Sequence, residues 1–353
     1  MVFLGRRDQR RRLLQALSKT WVVRRLKQID LSVVPVWLCP RVSTASRYQH
    51  SLNVGGLSLL IPDGAEHERL LLTAAATLHD VGNGPFPHIS DQLMKEMLGF
   101  SHEGAVRFAF DDSPAKDSAV LDEYGLDLDE VGAIIEGGHR FSPLVNGRLD
   151  LDNADNVHRF ITAMLGNLLG EPSYRPEEIA VAMSLDEQQV KISEDLRRRW
   201  LRDHETVYRH VWEDRLNMIA WTMVGRAMRI LKEELTPTFF RMTNKEAFQL
   251  IGSRLPRLAD SLGKREYEII LDRKYLQLKG EAQKLSDPRN LGEIEDELCR
   301  ETGLGNWSLG LTVDRPLIGE EADHWRVYMV VHKGIEAPRI LIEDMLSGSP
   351  SFP

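Results

Sequence analysis

Apolar residues recur at helical spacing through about the first two thirds of the chain, and this periodicity limits the fold more than any other feature. HERLLLTAAATLHD, which is rich in Leu and Ala, predicts a buried helix, and DLDEVGAIIEG also has a helical pattern. After about residue 305 the period shortens to two in WSLGLTVD and WRVYMVVHKG, as expected of strands. We therefore predict a mainly α protein, with a helical core followed by a small α+β carboxy-terminal section.

The same pattern indicates two local boundaries. Ser101 precedes the helical run SHEGAVRF and is a good N-cap residue, so we expect a helix to begin there. Residues 211–235, VWEDRLNMIAWTMVGRAMRILKEEL, are amphipathic throughout and predict one long helix.

The composition, 42% hydrophobic and 28% charged, is that of a globular protein with enough apolar material for a core. The net charge of −8 argues against a general affinity for nucleic acid, although nine of the first 27 residues are Arg or Lys. A solvated basic helix face explains that cluster, and an anion site at a subunit contact is the alternative. The two cysteines and the absence of an apolar run of membrane-span or secretory-signal type lead us to expect a cytoplasmic protein without a membrane partner.

An adjacent His79 and Asp80 end an apolar run and are followed by a rigid turn, in LHDVGNGPFPHISD. A solvated helix end explains this pair as well as a metal site does, so further ligands must be sought. His50 lies in another helical pattern, and GRLDLDNAD offers three Asp residues, although each could be a core histidine or a helix cap. One His, a His-Asp pair and a distant Asp together give mixed nitrogen and oxygen ligands. Such a set suits Mn²⁺, Fe²⁺, Co²⁺ or Mg²⁺ better than a thiolate-rich structural zinc site.

Four segments, SRYQHSLNVG, TLHDVGNGPFPHISD, SHEGAVRF and GRLDLDNAD, resemble in order and spacing the motifs of the HD-domain phosphohydrolases. Within that family the resemblance is to the deoxynucleoside triphosphate triphosphohydrolases, including the animal enzyme that pairs an HD domain with a SAM domain. The resemblance implies a catalytic HD core with a basic amino-terminal segment in residues 1–170. It further implies a helical extension packed on that core in residues 171–304, and the α+β section in residues 305–353.

The resemblance also implies a role for individual residues. A divalent ion (Mn, Fe, Co, Mg or Zn) is expected to be bound by four metal ligands: His50, His79, Asp80 and Asp152. Catalytic positions are expected at His102, His88, Asp91 and Asn83. Substrate contacts are expected at Arg47, Asn153 and Asn156. Asp155 resembles a structural Asp that follows the last ligand.

Three asparagines depart from the pattern of the triphosphohydrolases. Asn83 stands where these enzymes usually have His, Asn153 where a basic residue is common, and Asn156 where a Tyr contacts the substrate. Asn can hydrogen-bond a phosphate but cannot transfer a proton near neutral pH. We therefore expect His102 to be the principal proton-transfer group, with His88 behind it.

The leading hypothesis is hydrolysis of deoxynucleoside triphosphates to nucleoside and tripolyphosphate. The alternative is an HD-type phosphatase or phosphodiesterase that acts on a nucleoside mono- or diphosphate or another small phosphorylated metabolite. A regulatory nucleotide-binding protein with a degenerate site is a third hypothesis, which the presence of all four expected ligands disfavours. The resemblance implies a homo-oligomer, a nucleotide or other phosphorylated small molecule as the substrate, and no nucleic-acid partner.

Overall fold

The structure is a computed structural model. It describes residues 2–41, 45–62, 64–111, 113, 116–165, 171–186, 189–275, 284–285, 287–314 and 325–335. Fifteen α-helices and five strands lie in these ranges, and they divide into two compact units. The prediction of a mainly α protein with a small sheet-containing carboxy-terminal region is confirmed.

The first unit comprises residues 1–36, 40–208 and 237–244. Its helices are α1 Val2–Leu17, α2 Trp21–Arg25, α3 Arg47–Ser58, α4 Glu66–Leu78, α5 Pro87–Leu98, α6 Val106–Asp111, α7 Ala119–Asp122, α8 Leu128–Ile135, α9 Leu151–Phe160, α10 Pro176–Ala182 and α11 Glu194–Glu213, which continues into the second unit. A short antiparallel hairpin joins β1 Ser184–Asp186 to β2 Gln189–Lys191.

Local sequence signals set the ends of the helices that matter most for function. Ser46 caps α3 through the backbone N–H of Gln49, and the Gln49 side chain completes a capping box. Asp150 caps α9 by accepting the backbone N–H of Asn153. The long buried run of α4 extends from Leu70 to Leu78, so this helix lies inside the unit and ends directly before His79 and Asp80.

The second unit comprises residues 37–39, 209–236 and 245–353. Its helices are α12 Arg215–Ile230, α13 Asn244–Arg254 (whose first residue belongs to the first unit), α14 Pro256–Gly263 and α15 Leu291–Thr302. Its strands, β3 Tyr267–Tyr275, β4 Leu309–Asp314 and β5 Trp325–His332, form an antiparallel sheet in the order β3-β5-β4. The alternating pattern predicted β4 and β5, and the structure adds β3 from a segment well before residue 305.

The prediction of one long helix over residues 211–235 is wrong. Helix α11 ends at Glu213, and Asp214 takes an extended backbone conformation and begins α12. The Asp214 carboxylate accepts the backbone N–H of Asn217 at 2.9 Å, while the Asn217 amide donates to the carbonyl of Val211 at 3.0 Å. The break therefore arises because two polar side chains satisfy the backbone groups at both helix ends, which an amphipathic pattern does not reveal.

The expected N-cap at Ser101 is also wrong. A 3₁₀ turn over Glu103–Ala105 follows His102, and the α-helical part of this segment begins only at Val106. Asp91 Oδ1 accepts the backbone N–H of His102 at 2.7 Å, so a carboxylate from α5 holds the segment that Ser101 was expected to cap.

None of the described helices has both the length and the apolar character needed to span a membrane. The predicted boundaries at residues 170 and 304 stay predictions. Residues 336–353, the end of the predicted α+β section, lie outside the described residues.

Candidate active site

Helices α3 and α4 pack closely enough to bring His50 and His79 together. Gly55 allows this approach, because a Cβ at its position would overlap the Thr77 hydroxyl on α4. The Nε2 atoms of the two imidazoles lie 3.3 Å apart, and both residues are buried. Two histidines that are 29 positions apart in the chain therefore face one point.

Helix α9 and the end of α4 add a carboxylate each to this point. Asp152 Oδ1 lies 2.8 Å from His50 Nε2 and 3.8 Å from His79 Nε2. Asp80 Oδ2 lies 3.9 Å and 3.6 Å from the same two nitrogens. The structure thus brings together the four residues that the sequence proposed as ligands, in a cluster whose nitrogen and oxygen atoms suit a divalent cation.

The two oxygens of Asp80 differ in a way that bears directly on metal binding. Oδ1 accepts hydrogen bonds from Arg47 Nη1 at 2.5 Å and from the Asn83 amide at 2.7 Å. Oδ2 is buried, faces the imidazole nitrogens and has no hydrogen-bond partner within the part of the chain that the structure describes. A buried carboxylate oxygen without a partner is costly, and a cation at this point would satisfy it. The residues present therefore fit a divalent metal ion.

Groups behind the cluster fix the outward nitrogens of both histidines. His50 Nδ1 lies 2.7 Å from Asp155 Oδ2, and His79 Nδ1 lies 2.9 Å from the carbonyl oxygen of Ala76. If each Nδ1 carries the proton, as these acceptors require, each Nε2 presents a lone pair to the centre of the cluster. A carboxylate or carbonyl that accepts from the outward ring nitrogen commonly orients a metal-binding histidine in this way.

The three Asp residues of GRLDLDNAD make different contacts. Asp150 accepts the backbone N–H groups of Gly147 and Asn153 and so caps α9. Asp152 faces the two histidine Nε2 atoms, and Asp155 holds His50 from behind. Sequence alone left these roles open, because all three residues are of the same type and lie within six positions.

The carboxylates strongly favour a positive charge at the cluster. Burial acts to lower the pKa of His50, but the hydrogen bonds to Asp152 and Asp155 outweigh it and raise that pKa to about 10. Burial would raise the pKa of Asp80, but the neighbouring Arg47 guanidinium and the two imidazoles hold it below its ordinary value. In the metal-free protein, a proton on His50 therefore supplies the charge that a cation would supply.

His102 and Asp91, two of the predicted catalytic residues, are in contact. Asp91 Oδ1 lies 3.0 Å from His102 Nδ1, and Lys95 Nζ lies 3.0 Å from Asp91 Oδ2. Burial opposes the charged form of His102, but the hydrogen bond to Asp91 and the charge of Glu103 outweigh it and raise the pKa of His102. With Nδ1 held by Asp91, Nε2 is the nitrogen left to exchange a proton.

The turn after Asp80 lies directly against the segment that carries His102. Gly82 makes this possible, since a Cβ there would overlap the carbonyl oxygen of His102 and crowd Ala105. Position 82 therefore requires glycine for a steric reason, which the sequence did not reveal.

His88, on the first turn of α5, completes the group of titratable residues around Arg47. The side chain reaches solvent, but the protein atoms around it disfavour the charged ring. This desolvation and the positive charges of Arg47 and His102 lower the pKa of His88 to about 4, which keeps the imidazole neutral at pH 7.

The three asparagines occupy different environments. The Asn83 amide donates to the backbone oxygen and to Oδ1 of Asp80, so it orients a candidate ligand. The Asn153 amide donates to Asp150 and to the carbonyl of Gly147, which lie before α9. Asn156 Oδ1 is buried, with no hydrogen-bond partner among the described residues.

Sequence reasoning missed two residues that support the cluster. Asn53 and Arg159 both donate to Asp155, the carboxylate behind His50. Helical spacing could have found them, because Asn53 lies three positions after His50 on α3 and Arg159 lies four positions after Asp155 on α9.

Comparisons with known proteins agree with this geometry. A family model described as the HD domain matches residues 47–159. The fold is similar to that of a phosphohydrolase from Bacteroides thetaiotaomicron, with a TM-score of 0.63 and 14% sequence identity over 90% of this chain and 94% of that one. It is also similar to a hypothetical protein from Aquifex aeolicus, with a TM-score of 0.66 and 15% identity over 95% of both chains. No curated protein matches the sequence.

At such low identities, the two solved structures show a shared fold and nothing more. The family match covers every candidate ligand from His50 to Asp152, together with Arg47, His88, Asp91 and His102. The chain therefore contains an HD domain, in residues 47–159.

Proposed function

We propose that this protein is a metal-dependent phosphohydrolase that acts on a nucleotide or another small phosphorylated metabolite. The observation that carries the proposal is the position of Asp80 Oδ2, which is buried opposite the Nε2 atoms of His50 and His79 and has no hydrogen-bond partner among the described residues. Asp152 closes the same cluster. A divalent ion bound by these four residues would lower the pKa of a bound water and polarise a phosphoryl oxygen.

Arg47 is the phosphate-binding residue of this proposal. Its Nη1 atom holds Asp80, while its Nε atom is buried and has no hydrogen-bond partner among the described residues. A guanidinium presents donors in a planar fork that matches the oxygens of a phosphate. Arg47 can therefore connect a candidate metal ligand to the substrate.

His102 is the proposed proton donor to the leaving oxygen. The hydrogen bond that His102 Nδ1 donates to Asp91 fixes the ring, and the raised pKa of His102 favours the protonated form from which a proton can be given. Departure of an alcohol or phosphate from phosphorus requires such a proton when the leaving oxygen is basic. His88, held neutral by Arg47 and His102, is placed to accept a hydrogen bond or donate one without adding charge.

Two substrate classes remain candidates. The resemblance to deoxynucleoside triphosphate triphosphohydrolases supports release of tripolyphosphate from a deoxynucleoside triphosphate. The environments of Asn83 and Asn153 favour the alternative, a mono- or diphosphate, because their amides are engaged by Asp80, Asp150 and Gly147. A triphosphate carries more negative charge, and these two positions supply none of the cationic contacts expected for it.

A substrate panel with product identification tests the proposal. The purified protein, with its metal content measured, is incubated with deoxynucleoside triphosphates, nucleoside mono- and diphosphates and cyclic nucleotides. Tripolyphosphate with nucleoside supports the first candidate, whereas orthophosphate or an opened cyclic nucleotide supports the second. Asp80→Asn and His79→Ala should abolish turnover while circular dichroism stays unchanged.

A protein that binds nucleotides with no bound metal and no product from any substrate contradicts the enzymatic proposal. That result would favour the regulatory binding protein instead. We also propose a homo-oligomer, on the resemblance alone, and sedimentation that shows a monomer at micromolar concentration would exclude it.

A further inference from the structure

A cavity lies in the first unit, between the loop over residues 137–149, the β1–β2 hairpin and one face of α11. Its volume is about 640 Å³, which falls in the range of pockets that hold small organic ligands. The lining residues that matter here are His139, Arg148, Gln189, Arg197 and Trp200. None of the candidate metal ligands or proposed catalytic residues lines it.

The polar lining of this cavity is cationic. Arg148 and Arg197 are both exposed, and no Asp or Glu is found among the lining residues that the structure describes. Arg148 forms no ion pair with any described residue, and Arg197 has only a marginal contact of 4.0 Å with Glu194. Two arginines that line one cavity, one without an ion pair among the described residues and the other with a single contact at 4.0 Å, favour an anionic ligand.

The lining of the cavity also includes Trp200. Trp200 is 2% exposed, its ring lies 4.9 Å from that of His204 between centroids, and its buried indole Nε1 has no hydrogen-bond partner among the described residues. The remaining apolar lining comes from Pro143, Leu149, Val190 and Leu201. Indole rings bind other rings well, and a buried N–H without a partner favours a ligand that carries an acceptor.

The cavity wall is tied to the start of α9. Gly147 lines the cavity, and its backbone N–H donates to Asp150, the N-cap of α9, at 2.6 Å. The same glycine has a carbonyl that accepts from Asn153, and a Cβ at position 147 would crowd the carbonyl of Pro143. The wall is therefore a tightly held turn, which gives the cavity a fixed shape.

We propose that this cavity is a second ligand site, for a small organic phosphate that carries a ring, with the phosphate held by Arg148 and Arg197 and the ring placed against Trp200. A nucleoside monophosphate has all the required features: a dianionic group, a flat ring and ring acceptors. The site does not depend on the metal centre or on the proposed phosphohydrolase activity.

Calorimetric titration of the full-length protein tests this site. The probes are the four ribonucleoside monophosphates, phenyl phosphate and inorganic phosphate. At least one of the ring-bearing probes should bind, and the Arg148→Ala/Arg197→Ala double variant should weaken it by about tenfold or more. Arg198→Ala is the matched control, because Arg198 is an exposed neighbour on α11 that does not line the cavity.

Two further comparisons distinguish ligand binding at this cavity from binding at the candidate active site. Treatment with EDTA should not change the probe affinity that the double variant weakens, since no lining residue is a candidate metal ligand. Trp200→Phe, which keeps a ring and removes the N–H, should weaken heterocyclic probes more than phenyl phosphate.

Three results would overturn the proposal. In the first, no ring-bearing probe loses affinity in the double variant. In the second, Arg198→Ala has the same effect as the double variant. In the third, inorganic phosphate binds as tightly as the ring-bearing probes, which removes the role of Trp200. Thermal unfolding of each variant shows whether a loss of binding reflects a loss of fold.

Discussion

Metal uptake at the cluster of His50, His79, Asp80 and Asp152 should release about one proton per ion from His50 at about pH 8. His50 has a pKa of about 10 in the metal-free protein, so at this pH it is protonated, while ordinary imidazoles are neutral. The pKa values of Asp80 and Asp152 are lowered, so these two carboxylates have no proton to give. A metal ion needs the Nε2 lone pair and must displace the His50 proton.

The pH dependence of metal affinity follows from the competition between the metal ion and the proton for His50 Nε2. The folded-state pKa of His50 is raised, so the proton is bound throughout the range below about pH 10 and is lost as the pH rises through that value. Each unit of pH therefore makes displacement easier by about 1.4 kcal/mol, or about tenfold in metal affinity, until the pH approaches the pKa. Affinity should stop rising near that point.

The assay is calorimetric titration of Mn²⁺ into protein that has been stripped with EDTA and dialysed. Titrations at one pH in buffers of different ionisation enthalpy give the number of protons released as the slope of the observed enthalpy. His67→Ala is the matched control, because His67 is an exposed histidine outside the cluster and its loss should leave the slope unchanged. A slope of zero at pH 8 would refute the reasoning, since it would mean that His50 is already neutral.

Three further predictions concern the groups around the cluster. His102→Ala should lower turnover by roughly 10²–10⁴, the usual range for general acid–base catalysis, with metal content unchanged, and equal turnover would shift the proton-transfer role to His88 or to metal-bound water. Asp91→Asn should lower the pKa of His102, so the alkaline limb of the plot of kcat against pH should move to lower pH. An unmoved limb would mean that Asp91 does not set the pKa of the proton-donating group. Asp155→Asn should weaken metal binding by about 10–100-fold, measured by competition with a chelator, while wild-type affinity would show that the hydrogen bond to His50 is dispensable.

Periodicity alone predicted the fold class because burial of one face imposes a repeat on any amphipathic element. The run before His79 predicted α4, and the alternation after residue 305 predicted β4 and β5. These elements are stabilised by contacts that recur at a fixed spacing, which a single sequence displays. The sequence also named the four residues of the cluster, because HD-domain motifs combine ligand type with order along the chain.

Long-range contacts decided what periodicity could not. Residues 211–235 keep an amphipathic pattern across Asp214, yet the chain breaks there because Asp214 and Asn217 satisfy the two helix ends. Likewise, Ser101 has the composition of an N-cap, but a carboxylate from α5 takes the backbone N–H of His102. A local rule fails at these points because a distant or competing side chain offers the backbone a better partner.

The roles of identical residue types were also decided only in three dimensions. Asp150, Asp152 and Asp155 are the same residue type within six positions. Asp150 caps α9 through contacts local to that helix, whereas Asp152 and Asp155 contact His50 only because α9 lies against α3. Residue type and order along the chain, which the sequence provides, are enough to identify which side chains can perform the chemistry. Arg47 and Asn83 both donate to Oδ1 of Asp80 and leave Oδ2 without a hydrogen-bond partner among the described residues. That difference depends on distances between side chains on separate elements, which only tertiary packing sets.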